Sequence, residues 1–124
     1  MNIVRKVDAP TFELPGLTVT GIASPKRGAS ETCMWMIALA PGAPGFPHSV
    51  TREEIFVGLR GRAVVTVGGE DHVLGPGDAV ILPAHTEFAL ANPSAETFEA
   101  MVTLPVGGKA IATGAPPFLP PWAE

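Results

Sequence analysis

Short runs in which every second residue is apolar alternate along this chain with glycines and prolines. The clearest run spans 97–104, where Phe98, Ala100, Val102 and Leu104 share one face and Thr97, Glu99, Met101 and Thr103 the other. A period of two is that of a half-buried strand. The same reading predicts strands at 17–23, 32–39, 53–59, 62–67, 71–74, 79–82 and 86–91. Gly68-Gly69 has the composition of a tight hairpin turn, and Gly75-Pro76-Gly77 marks a second turn where glycine supplies a positive φ. Two stretches, MWMIALA at 34–40 and AVILPA at 79–84, are apolar without interruption. Both fall far short of the roughly 20 residues that cross a bilayer, so they read as buried strands. No segment carries a long helical period. Eight short strands punctuated by turns predict an all-β fold of the jelly-roll kind.

Composition narrows this further. A chain of 124 residues suits one domain, and with 46% hydrophobic and 16% charged residues it is too apolar to remain disordered. The net charge is −4 and the eight Lys and Arg residues form no stripe or block, which argues against a nucleic-acid partner. The first residues, MNIVRKVDAPTFELPG, contain no secretory apolar stretch, so a cytoplasmic location and no membrane partner are expected. Cys33 is the sole cysteine; inside an apolar strand it is expected to be a buried thiol acting as a small hydrophobe. The segment 113–124 departs from strand grammar, because four prolines among its last nine residues favour an extended, ladder-free backbone. Phe118 and Trp122 within it are expected to dock on the outer face of the barrel or on a partner subunit, or else to fray.

Two gapped motifs carry the candidate chemistry. In the first, Gly42 is followed after five residues by His48, then by Val50, Glu54 and, after six further residues, Gly61. In the second, Gly77 leads to Pro83, His85, Phe88 and Asn92. This pair of motifs, in this order and with hairpin glycines between them, resembles the two signatures of the cupin superfamily over roughly residues 30–105. The resemblance is to small single-domain, RmlC-like cupins. It implies a double-stranded β-helix, or jelly-roll barrel, with an N-terminal arm at 1–23 and the Pro-rich tail at 113–124 outside the barrel core. It also implies a homodimer in which one sheet packs on a partner's and N-terminal segments are exchanged. In metal-binding cupins two histidines and a glutamate of the first motif and a histidine of the second converge on a divalent transition metal. Here Val50 and Phe88 fill two of those four slots, so no metal is expected; if one binds, His48 and Glu54 would need His85 or His72 as a substitute ligand.

His48 and Glu54 lie six residues apart, which on one continuous strand places an imidazole and a carboxyl on the same face. Val50, Phe56, Phe88, Leu90 and Asn92 join them by strand parity, giving a mostly apolar small-molecule pocket with a few orienting groups. The competing reading is a barrel packed solid by the same side chains. Burial should raise the pKa of Glu54 and a protonated His48 should lower it. Three functions follow from the resemblance and these residues. The first is a metal-independent cupin that binds a small, largely apolar ligand, with His48 and Glu54 moving a proton in an isomerase- or lyase-like step. The second is a metal-dependent oxygenase or isomerase, and the third is a non-catalytic structural or sensory module.

Overall fold

The computed structural model describes all 124 residues as eleven strands in two antiparallel sheets. The strands are β1 (Thr11–Leu14), β2 (Leu17–Ala23), β3 (Thr32–Leu39), β4 (His48–Val50), β5 (Glu54–Arg60) and β6 (Ala63–Val67), then β7 (Glu70–Leu74), β8 (Ala79–Leu82), β9 (Phe88–Ala91), β10 (Phe98–Pro105) and β11 (Ala110–Ala112). One sheet runs β1-β2-β3-β10-β5-β8 and the other β11-β4-β9-β6-β7. This is the jelly-roll architecture expected. The eight strands read from sequence are present within one or two residues at each end, and β1, β4 and β11 are additional.

Alternation explains how the sheets face each other. In β10 Phe98, Ala100, Val102 and Leu104 are buried while the residues between them are half-exposed. In β3 Cys33, Trp35, Ile37 and Leu39 turn inward, and β3 pairs with β10 along its whole length, from Phe98↔Leu39 to Pro105↔Thr32. The inner faces of both sheets meet in one core cluster of 18 buried residues, so the two layers are joined by a single apolar interior. The apolar character of β3 is continuous because Met34 and Met36, on its other face, are also half-buried.

The turns follow backbone requirements. Gly68 and Gly69 join β6 to β7 with φ of 59° and 78°, the pair of positive values a two-residue type I′ hairpin needs. Gly61, the closing glycine of the first motif, has φ 71°, and a side chain there would run into the carbonyl oxygen of Thr97. Position 85, which corresponds to a glycine in the second cupin motif, also adopts a left-handed backbone: His85 has φ 60°, the only non-glycine in the chain to do so. The conformation of that turn is kept although its usual residue is not.

The Pro-rich segment is exposed over residues 113–119, and only its end turns into the barrel. Phe118 and Ala110 exchange two backbone hydrogen bonds of 2.9 Å, which ties the segment to β11. Trp122 then turns inward, against Phe12 at 5.9 Å and Trp35 at 6.3 Å between ring centroids, and Ala123 is buried. The expectation of an outer-face or partner contact therefore fails for Trp122, because an indole has more apolar area to bury between the sheets than on them. No helix is long and apolar enough to cross a membrane.

Candidate functional site

Between the two sheets lies a cavity of about 290 Å³. Of its 20 lining residues 15 are hydrophobic, and the only ionisable ones are His48 and Glu54. They do not arrive there along one strand. His48 opens β4 in one sheet, paired to Ala112 and Phe88, whereas Glu54 opens β5 in the other, paired to Leu82. The turn 51–53 carries the chain from sheet to sheet, so the two groups look into the cavity from opposite layers. The parity argument for a shared strand face is thus replaced by a crossover. Thr51 fixes that crossover: its N–H donates to Lys109 O and its hydroxyl accepts from Lys109 N–H, both at 2.9 Å.

Glu54 is 5% exposed, buried beside Phe56 on the inward face of β5, and its Oε1 has no hydrogen-bond partner. Neither Arg52, Arg60 nor Arg62 pairs with it; Arg60 instead lies 3.7 Å from Glu99. Apolar surroundings disfavour the ionised form, and burial pushes the Glu54 carboxyl up to about 8. The cause is burial rather than the balance of burial and imidazole charge expected from sequence. At neutral pH the group is therefore a carboxylic acid, able to donate a proton.

His48 is half-buried, and its Nδ1 lies 2.9 Å from Phe46 O. A carbonyl only accepts, so Nδ1 carries the hydrogen and, in the neutral ring, Nε2 holds the basic lone pair. The ring packs on Phe88 at 4.4 Å between centroids, and Phe88 meets Phe56 edge-on at 5.8 Å.

Val50, Phe56, Phe88 and Leu90 all line the cavity. Asn92 does not. It is fully buried and its side chain is spent on the backbone: Nδ2 donates to Leu39 O at 3.0 Å and Glu96 O at 2.7 Å, and Oδ1 accepts from Ser94. Its assignment as a ligand contact is corrected accordingly; the motif asparagine stitches two loops together. The walls that sequence reasoning missed come from β2 and β3, through Val19, Trp35, Ile37 and Leu39, and from the 113–124 segment, through Pro120 and Trp122. The alternation of β3 already marked Trp35, Ile37 and Leu39 as one face.

The residues present do not fit a metal ion. A catalytic site of this kind takes three protein ligands, and the cavity offers one imidazole and one carboxyl. The ligand slots at 50 and 88 are occupied by buried Val50 and Phe88, whose side chains have no lone pairs. Neither substitute reaches the site: His85 is exposed in the turn after Pro83, and His72 is exposed on edge strand β7, 3.6 Å from Glu70. No group of three His, Cys, Asp or Glu side chains comes together anywhere in the chain. Cys33 is buried as expected, with its thiol 3.7 Å from Ala123 O; burial raises its pKa more than nearby Arg27 lowers it.

The model of the cupin domain matches residues 35–104, more than half of the chain, and the protein belongs to the cupin family. Solved structures agree on the fold. The polyketide cyclase RemF from Streptomyces resistomycificus superposes with a TM-score of 0.81 at 18% identity, over 98% of this chain and 88% of that one. An RmlC-like cupin from Shewanella frigidimarina gives 0.72 at 19% identity, over 83% and 88%. KdgF from Halomonas sp. gives 0.70 at 21% identity, over 83% and 92%. No curated protein sequence matches the chain.

Proposed function

We propose that this cupin binds a small, largely apolar organic molecule in the cavity between its sheets, and that His48 and Glu54 move a proton on it without a metal. The observation that carries this reading is the unpartnered, buried carboxyl of Glu54 in a cavity whose only other ionisable group is an imidazole. A site of about 290 Å³ sits at the small end of ligand pockets, and its aromatic and aliphatic walls suit a ligand of one or two rings. A neutral acid facing such a ligand is a hydrogen-bond donor, so the matching group is a carbonyl.

The step is an enolisation. His48 Nε2 takes a proton from the carbon beside the carbonyl, breaking that C–H bond, while Glu54 passes its proton to the carbonyl oxygen. The enol, the imidazolium and the carboxylate that result hold the same atoms and charge as the start. Returning the proton to another carbon of a conjugated system gives an isomerase; expelling a leaving group from the next carbon gives a lyase.

Binding is tested with N-phenyl-1-naphthylamine, a neutral probe that fluoresces in apolar surroundings. It should brighten with the wild type and raise its melting temperature, and Leu90→Trp, which fills the cavity, should abolish both effects. Proton transfer is tested with 1-tetralone in D2O, by the loss of its α-proton signals. The wild type should accelerate exchange, and His48→Ala and Glu54→Gln should each slow it about 100-fold or more. Probe binding with no accelerated exchange would leave a binding protein and remove the proton step.

The outer face of the six-stranded sheet supports a homodimer, in keeping with the family resemblance. Two register rows rich in apolar side chains cross it: Met36, Met101 and Val57 in one, and Met34, Ile55 and Ile81, with Thr103 between the first two, in the next.

A further inference from the structure

We propose that Trp122 is a ligand-contacting, specificity-determining residue, and that the segment 118–124 is a wall laid across the cavity after the sheets are complete. This rests on the reading of the cavity as a ligand site. The last strand, β11, ends at Ala112, and beyond it the segment adds to the sheets only the single bridge from Phe118 to Ala110. It supplies Pro120 and Trp122 to the cavity lining, facing Val19 and Trp35 from β2 and β3. Without that indole the inner faces of Phe12 and Trp35 would open into the cavity and lengthen it.

The way the segment is held fits a wall rather than part of the scaffold. Pro116, Pro117, Pro120 and Pro121 stiffen it before it docks, so it loses little freedom in docking, and they leave few N–H groups for anchoring. Its polar ties are few, and besides the Cys33 thiol on Ala123 O they lie at its two ends. Phe118 bonds to β11; Lys26 N–H donates to Glu124 O at 3.1 Å, and Lys26 Nζ pairs with Glu124 at 2.7 Å on the exposed side. Between these ties the Trp122 indole closes that side of the cavity, its plane at 63° to Phe12 and 59° to Trp35. It therefore limits ligand length and favours a planar end group.

The experiment compares the wild type with Trp122→Ala and Trp122→Phe, using N-phenyl-1-naphthylamine and the longer, rod-shaped 1,6-diphenylhexatriene. Both variants retain Trp35 as their only tryptophan, so energy transfer from Trp35 reports bound probe through one donor, and the part of the signal that Leu90→Trp removes in direct probe fluorescence is the part that belongs to the cavity. The wild type should bind the naphthylamine and exclude the hexatriene. Trp122→Ala should weaken the naphthylamine at least five-fold and admit the hexatriene, with Trp122→Phe between the two. Trp122→Phe also keeps the test decisive if the alanine variant does not fold. Equal naphthylamine affinity in all three proteins, with the hexatriene still excluded, would overturn the role of Trp122 and leave the ligand site standing. Failure of every form to bind either probe would overturn the cavity reading, and this inference with it.

Discussion

At the scale of single residues, three side chains do work that their positions alone do not announce. Glu54 makes stability depend on pH with a defined sign. Unfolded, its carboxyl ionises near 4.5; folded, it keeps its proton to about 8. Between those values the unfolded chain releases a proton that the folded chain retains, so the contribution is fully present below about 4.5 and is lost as pH rises through 8. The loss is on the order of several kcal/mol. Glu54→Gln removes the titrating group, so its melting temperature should lose this decline and exceed that of the wild type at pH 9; parallel curves would contradict this. Asn92, by contrast, acts only on stability. Asn92→Ala removes the side-chain donor to Leu39 O and one of the two side-chain donors to Glu96 O, and should cost roughly 2 kcal/mol in urea unfolding while leaving probe affinity unchanged. His85 sits at φ 60°, a conformation that burdens a residue with a Cβ. His85→Gly should stabilise the protein by roughly 0.5 kcal/mol, the relief of strain exceeding the added unfolded-state entropy. An unchanged m-value would confirm that only stability moved.

At the scale of elements, legibility tracked length and periodicity. Eight-residue β3 and β10 alternate over four inward positions each, and both their limits and their buried faces were readable. Three-residue β4 and β11 have no period to read, since they are strands only because each pairs with the other and β4 also pairs with β9. That blindness had a consequence: 48–54 read as one continuous strand, and the right residues were chosen for a geometric reason that does not hold. The cavity walls from β4, β5 and β9 were legible through the motifs. Those from 113–124 were not, because an extended, Pro-rich backbone carries no period that says which side is buried. One signal was present, a tryptophan among prolines, whose apolar area has to be covered by something.

At the scale of the whole molecule, the two faces of the six-stranded sheet serve different ends. Its inner face shapes the cavity, and its outer face carries the methionine and isoleucine rows that we propose meet a second copy. Light scattering at micromolar concentration should give the mass of two chains. Met36→Glu with Met101→Glu, neighbours across β3 and β10, should give one chain with the fold intact. A wild-type monomer would refute the dimer without touching the site, because no cavity residue belongs to that outer face.

The crossover at 51–53 links chemistry to the thickness of the sandwich. His48 and Glu54 are mounted on separate layers, and the layers are held apart around the cavity by core side chains rather than by a shared backbone. Trimming a core side chain remote from both, such as Phe98, lets the layers settle closer and changes the distance between the two groups. On the proposed proton transfer, substitutions that touch neither His48 nor Glu54 would therefore still change its rate.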